Sequence, residues 1–507
     1  MAVIRGSTVD RRSHCLPAAQ SRAQIPHVLQ SSECSLIRLL NAYIPSRTLM
    51  LGISEAFLVT IALVASALAR LGADETRFML TFQYGAVKIV LVSVAFLTCM
   101  YYFDLYDSVI VSNRREAFVR LIQVLGVAYI ALGLLYYLYP PVKLGRGIFH
   151  LGFLFVGLLL LLWRRLFSAI NSTQGLCERV VILGEGPLAE SLAREIKMRP
   201  ELGIRLALRP QLRVVENRAG DHEIAKSPVI LSQTSLWESF GVGRPVHGID
   251  RIVVAMEERR GKLPVALLLS LKNRGVQVQD GNDVYETITG KVPIESIRLS
   301  SLLFSSGSHP SRLFLIYKRF ASVMISIVGL LLSLPLIPFV VLAIKLSSPG
   351  RVLYWQNRVG RDDKIFRCYK FRTMRSDAEA DSGPVWAEDH DPRVTLVGRF
   401  LRKTRIDELP QLLNVFKGDM SLVGPRPERP EFVATLNEQI PYYHLRHAVR
   451  PGITGWAQIL YKYGSSVEDA KEKLRYDLYY IKNSSAGLDL LIVLNTIKIV
   501  LLSRGAK

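Results

Sequence analysis

The sequence is poor in cysteine, and the five it has (Cys15, Cys34, Cys99, Cys177 and Cys368) form no Cys-x-x-Cys pair. That excludes a disulfide framework or a zinc cluster and points to a reducing compartment. The first 30 residues carry Arg5, Arg11 and Arg12 but no apolar core, so no cleaved signal peptide is expected. Acidic residues are also scarce: 43 Asp+Glu face 64 Lys+Arg, a net charge of +21 over 507 residues. Half of the residues are hydrophobic and 21% are charged, with mean hydropathy +0.24, which excludes a disordered chain. The acidic deficit is uneven. Residues 1–180 carry 17 basic and 9 acidic residues, 181–300 carry 17 and 15, and 301–507 carry 30 and 19. Such an excess suits nucleic acid, acidic lipid headgroups or a phosphorylated substrate.

Charge is nearly missing from four long runs. Residues 48–69 hold only Glu55, 78–103 only Lys88, and 121–142 and 147–162 none. About 20 apolar residues cross a bilayer, so each run predicts a membrane helix, the last one short. The arginine-rich start, Arg114-Arg115 and Trp163-Arg164-Arg165 place the N-terminus and everything after residue 165 in the cytoplasm by the positive-inside rule. Glu55 and Lys88 fall at different depths in antiparallel spans. Snorkelling or a partner elsewhere therefore suits them better than mutual pairing.

Beyond the spans, Val180–Leu183 runs into Gly184-Glu185-Gly186 and a helical stretch, with further apolar runs at 251–255 and 275–278. This alternation predicts a parallel, doubly wound sheet. The glycine signature is incomplete: Pro187 removes a donor, Ala189 replaces the third glycine, and no acidic residue follows at the ribose position. A degenerate or regulatory unit fits better than a working nucleotide site. A fifth apolar segment, 312–346, has 25 uncharged residues between Arg319 and Lys345 but is interrupted by Pro335 and Pro338. A break at Pro335 would return the chain to the cytoplasmic face, whereas a straight span would export residues 350–507.

Eight cations fall within 351–375, among them Lys370 and Arg372, and Arg393, Arg399, Arg402, Lys403 and Arg405 lead into Asp407-Glu408. Arg426 and Arg429 lie between prolines just beyond. Arginines on rigid backbone suit bidentate capture of phosphate. Adjacent carboxylates among so many cations should ionise and serve as metal ligand or nucleophile. The alternative is that Asp407 and Glu408 merely favour the dipole of a helix first turn capped by Thr404. The cations lack a recognisable nucleic-acid module and adjoin a membrane segment, so no nucleic-acid partner is expected.

These residues resemble a known family. Lys345–Gly350, Arg358–Arg361, Lys370–Met374, Asp391-Pro392-Arg393, Asp407–Gln411, Lys417–Pro427, Arg450–Gln458 and Tyr476–Tyr480 follow, in order, the pattern of the bacterial sugar transferases (polyprenyl-phosphate hexose-1-phosphate transferases, or monotopic phosphoglycosyl transferases). The resemblance implies transfer of a hexose 1-phosphate from a UDP-sugar to undecaprenyl phosphate, with release of UMP and a requirement for Mg²⁺, early in exopolysaccharide or O-antigen synthesis. It makes Asp407 the nucleophile of a covalent phosphosugar intermediate and Glu408 its metal-binding or positioning neighbour. Lys370, Arg372, Arg405, Arg426, Arg446 and Arg450 become substrate-binding cations, and Pro335 the break of a re-entrant helix. UDP-glucose is the first expected donor and UDP-galactose the second, with inner-membrane lipids as surroundings and a homodimer compatible with the sequence.

The expected fold is a membrane protein of mixed α and α/β class. A cytoplasmic tail (1–46) precedes a four-helix transmembrane region (47–168), a Rossmann-like middle domain (175–300), and a mostly α-helical catalytic domain (310–507) with a re-entrant membrane helix (313–346). Competing readings are a membrane-anchored nucleotide-sugar dehydratase or epimerase, which would need a Tyr-x-x-x-Lys pair absent from 180–300, and a non-catalytic export scaffold.

Overall fold

The computed structural model describes residues 36–39, 42–107, 114–171, 177–199, 202–207, 230–231, 249–259, 261–296, 311–375, 391–461, 464 and 466–501. Most of the expected N-terminal tail lies outside them. Strands β1 (Leu36–Leu39) and β2 (Ala42–Pro45) pair antiparallel and lead into helix α1 (Ser46–Leu71). Helices α2 (Ala73–Phe82), α3 (Gly85–Tyr102), α4 (Arg114–Leu138) and α5 (Arg146–Asn171) follow. Their shared core includes Val59, Leu63, Phe96, Met100, Leu121, Val124, Val156 and Leu160.

Local chemistry sets boundaries that hydropathy alone misplaces. The second apolar run is divided at Gly85, where a Cβ would meet the Met79 carbonyl oxygen at 2.6 Å, so α3 starts seven residues after the run does. Pro140 and Pro141 end α4 at Leu138. The fourth helix is not short. It continues through Trp163-Arg164-Arg165 because Arg164 is paired there: its Nε and Nη2 donate to the two Glu55 oxygens at 2.7 and 3.2 Å. Trp163 Nε1 donates to Ser54 Oγ alongside, at 2.9 Å. Glu55 thus has a partner 109 residues away. Lys88, near the opposite end of the bundle, donates to the Lys143 carbonyl.

The middle stretch forms a five-stranded parallel sheet. Strands β3 (Glu178–Leu183), β4 (Ile204–Leu206), β6 (Arg251–Val254) and β7 (Gln277–Asp280) lie in the order β4-β3-β6-β7, and β5 (Ile230–Leu231) pairs with the end of β3. Helices α6 (Pro187–Met198) and α8 (Gly281–Thr289) bury Leu192, Tyr285 and Ile288 against one face. Helix α7 (Val265–Asn273) buries Leu267, Leu268 and Leu271 against the other. Gly184 is needed for packing, since a Cβ there would meet the Ala255 backbone at 2.7 Å.

Helix α9 (Arg312–Ser333) and helix α10 (Ile337–Ser347) are separated by a turn at Pro335. Pro335 has no N–H to continue the helix, and the Leu334 N–H is shared between the Leu330 and Leu331 carbonyls instead. Five helices (α1, α3, α4, α5 and α9) are long and apolar enough to cross a membrane, which marks a membrane protein.

Both arms of the α9–α10 pair pack on one body. That body comprises the antiparallel strands β8 (Leu353–Val359) and β9 (Ile365–Phe371), helices α11 (Leu396–Thr404), α12 (Gln411–Lys417) and α13 (Pro430–Gln439), and the parallel strands β10 (Ser421–Val423) and β11 (Gly452–Thr454). Helices α14 (Trp456–Leu460), α15 (Val467–Asn483) and α16 (Ala486–Leu501) complete it. From α9, Arg319 donates to the Val415 and Phe416 carbonyls at 2.5 and 2.8 Å, and Lys318 is ion-paired with Asp489 at 3.2 Å. From α10, Val340 and Ile344 share a core with Phe371 and Leu401.

Candidate active site at the acidic pair

Asp407 and Glu408 lie in a single 3₁₀ turn, Ile406–Glu408, between α11 and α12. Leu409 and Pro410, both helical, join this turn to α12, and the Thr404 hydroxyl bonds back to the Phe400 and Leu401 carbonyls rather than capping it. Thr404 is therefore not the cap that the dipole reading calls for. The turn is forced by Arg405, which ends α11 in the left-handed region at φ +59, its N–H returned to the Arg402 carbonyl. Such a conformation in a non-glycine residue costs about 1 kcal/mol or more and is concentrated at functional sites.

Both carboxylates are buried, yet they meet different surroundings. Glu408 Oε1 takes Arg426 Nη2 at 2.7 Å, Lys370 Nζ at 3.4 Å and Arg405 Nη1 at 3.8 Å. Burial alone would raise the Glu408 carboxyl, but Arg426 and Lys370 outweigh it and hold the group well below the usual carboxylate range. Asp407 Oδ1 has no hydrogen-bond partner among the described residues. Burial pushes the Asp407 carboxyl above its ordinary value, against the pull of Lys370 and with help from the charge of Glu408. The result is one neutralised carboxylate beside one that is poised and unengaged.

The six expected cations divide into three groups. Lys370, Arg405 and Arg426 converge on Glu408. Arg372 and Arg446 are engaged elsewhere. Arg372 donates to the Ser348 and Pro349 carbonyls and fastens the end of the α9–α10 segment. Arg446 is buried, donating to Asp477 at 2.8 Å, to the Arg426 carbonyl at 3.0 Å and to the Tyr443 hydroxyl at 2.5 Å. It supports the backbone of Arg426 from behind. Its partner Asp477 is pushed up to about 6 by burial, with Arg446 opposing. Arg450 is exposed, and its guanidinium is shifted down by partial burial and by the nearby charges of Arg319 and Arg361.

Three supports were not among the expected site residues. Asn414 is fully buried and binds β9 like another strand. It accepts from the Tyr369 N–H at 3.1 Å, donates to the Arg367 carbonyl at 2.7 Å and reaches Asp419 Oδ2 at 3.3 Å. This fixes Lys370 against the turn that carries the acids. Arg358 holds the Pro427 carbonyl at 3.0 Å, just past Arg426. His447 pairs with Asp363 at 2.6 Å, tying the segment that contains Arg446 to the β8–β9 loop. The amide of Asn414, able to pair one backbone N–H and one carbonyl at once, is the one signal readable from sequence.

Among the described residues no three His, Cys, Asp or Glu side chains cluster as a metal cage. Mg²⁺, however, commonly takes only one or two carboxylates and completes its shell with water and phosphate. The unengaged Asp407 Oδ1 fits that donor set, whereas Glu408 Oε1 is already shared among three cations.

Five long apolar helices mark a membrane protein, and within it an acidic pair lies among converging cations on a body fastened to a broken apolar helix. The comparisons place it more closely: the chain belongs to the bacterial sugar transferase family, whose model matches residues 313–503. A UDP-N-acetylgalactosamine-undecaprenyl-phosphate N-acetylgalactosaminephosphotransferase from Aeromonas hydrophila is 46% identical over 227 residues, 44% of this chain and 52% of the relative. An undecaprenyl-phosphate glucose phosphotransferase from Komagataeibacter xylinus is 35% identical over 346 residues, 66% of this chain and 61% of the relative. The exopolysaccharide production protein PSS of Rhizobium leguminosarum bv. phaseoli is 44% identical over 188 residues, 36% of this chain but 94% of the relative. The chain thus spans 52% and 61% of the length of the Aeromonas and Komagataeibacter proteins.

Proposed function

We propose that the protein transfers a hexose 1-phosphate from a UDP-sugar to undecaprenyl phosphate and releases UMP. The observation that carries this reading is the asymmetry of the pair: Glu408 is neutralised by three cations while Asp407 Oδ1 is left without a partner. The names of the Aeromonas and Komagataeibacter relatives support the substrate class.

In the first displacement an Asp407 oxygen attacks the sugar-bearing phosphorus of the donor. An O–P bond forms to Asp407, the bond to the bridging oxygen breaks, and UMP leaves with that electron pair. In the second, a phosphate oxygen of undecaprenyl phosphate attacks the same phosphorus and the Asp407–phosphorus bond breaks. This regenerates the carboxylate and yields the lipid diphosphate sugar. Splitting the transfer this way gives ping-pong kinetics. Lys370, Arg405 and Arg426 keep Glu408 ionised without repelling the incoming phosphates. Mg²⁺ bound through Asp407 Oδ1 would neutralise diphosphate charge.

The α9–α10 break supports a re-entrant hairpin rather than a fifth span, because both arms pack on the same body. The acids would then sit at headgroup depth on the cytoplasmic face of the inner membrane, beneath four transmembrane helices, with the parallel sheet as a Rossmann-like regulatory unit. Glucose remains the first donor to try and galactose the second, with N-acetylgalactosamine added by the Aeromonas relative's name. The test is UMP release over a panel of UDP-sugars with undecaprenyl phosphate in membranes. Release with at least one donor is expected, and no release with any donor would overturn the reading.

A further inference from the structure

The family match begins at residue 313, yet the chain just upstream is built into the matched body. Asp280, at the end of β7, caps α8 by accepting from the Asn282 N–H at 2.9 Å. Glu286, buried in α8, receives both of its bonds from Lys482 of α15, at 2.8 and 3.0 Å. Gly290 closes α8 in the left-handed region at φ +67, and its carbonyl accepts from Trp456 Nε1 at 2.9 Å. A Cβ at Gly290 would meet the indole at 3.2 Å. The Val292 N–H then donates to the Arg475 carbonyl, and Glu295 pairs with Arg475 and Lys471 at 2.6 and 2.7 Å. Val292 and Ile294 share one core with Val423 and Trp456.

Trp456 is joined to β11 through the single residue Gly455. The Gly424 N–H donates to the Thr454 carbonyl, and the Gly452 N–H to the Pro425 carbonyl, each at 2.9 Å. Arg426 is the next residue. A continuous series of bonds therefore runs from the end of the parallel sheet through α8 to Gly290, Trp456, β11 and β10, and ends at the arginine that neutralises Glu408.

We infer that residues 281–296 are a positioning element for Arg426, acting through the Gly290–Trp456 contact, so that the parallel sheet sets the geometry of the acidic pair. The kinetic part of this inference rests on the transfer reading above, whereas its structural part does not. Trp456→Phe keeps the ring stacked on Tyr479, now 5.8 Å away between centroids, but removes the N–H to Gly290. Glu286→Gln weakens the tie to Lys482.

Amide hydrogen exchange on the full-length protein in nanodiscs should show both variants exchanging about tenfold faster at residues 421–426 and 450–455, the scale of one lost hydrogen bond, with β8–β9 unchanged. Unchanged protection at 421–426 would overturn the inference. In UMP-release assays Trp456→Phe should lower kcat about fivefold and leave the UDP-sugar KM within about twofold, a loss seen only in the transition state. Combined with Arg426→Lys it should add no further loss, because both act through one guanidinium. Multiplicative losses would overturn the positioning. A wild-type protein that releases no UMP would refute the transfer reading alone, and hydrogen exchange would still decide the positioning.

Discussion

Asn414 gives the site its most measurable dependence. Replacing it by aspartate keeps an oxygen for the Tyr369 N–H at 3.1 Å but turns the donor that reaches the Arg367 carbonyl at 2.7 Å into an acceptor. The new carboxylate would also face Asp419 Oδ2, 3.3 Å from the present nitrogen. Leaving one buried carbonyl unpaired costs about 1–3 kcal/mol, and the repulsion adds about 1 kcal/mol more. A total of about 3 kcal/mol corresponds to a melting temperature lowered by roughly 6–12 °C for a unit of this size. The β9 strand should loosen with it, displacing Lys370 and lowering UMP release. The assay is thermal unfolding in detergent micelles alongside turnover, with Asn414→Gln as a control of similar chemistry and wrong length. A melting temperature within 1 °C of wild type would refute the argument that this side chain holds β9 against the acidic turn.

Other consequences follow from the same contacts. Arg405→Gly relieves a left-handed backbone, so the melting temperature should hold or rise by a few degrees, about 1 kcal/mol, while UMP release falls several-fold through loss of a cation beside Glu408; a large drop in stability would contradict this. Because Asp407 is raised and must be ionised to attack, the acid limb of turnover should lie above pH 3.8, and a limb at or below that value would contradict the assignment. Stability should follow the groups in opposite senses. The depressed Glu408 contributes above pH 4.5 and loses its contribution as the pH falls, whereas the raised Asp477 contributes below 3.8 and loses its contribution as the pH climbs to about 6. Arg164→Met strands the buried Glu55 and should cost about 3–5 kcal/mol, largely recovered in the double variant with Glu55→Gln, as denaturation in detergent would show.

The sequence carried what is local. Four apolar runs, a proline break and ordered motifs mark the helices and the acidic pair, because hydropathy, missing N–H groups and charge density are properties of short segments. What it did not carry depends on side-chain direction and distance along the chain. Arg372 is two residues from Lys370, yet one fastens the α9–α10 segment while the other meets Glu408. The resemblance made Arg446 a substrate cation, whereas in the structure a buried aspartate 31 residues on pairs with it. The Glu55–Arg164 pair spans 109 residues, beyond any periodicity. The left-handed turn at Arg405, which separates the acids from the end of α11, has no glycine to announce it.

The most direct test of the central claim is intact-mass analysis of the purified protein after exposure to a turnover-competent UDP-sugar without undecaprenyl phosphate. Wild-type protein should gain the mass of one hexose phosphate, mapped to the peptide holding Asp407, lost on adding the lipid phosphate and absent in Asp407→Asn. Turnover of Asp407→Asn at near-wild-type rate, or an adduct mapped to any other residue, would contradict it.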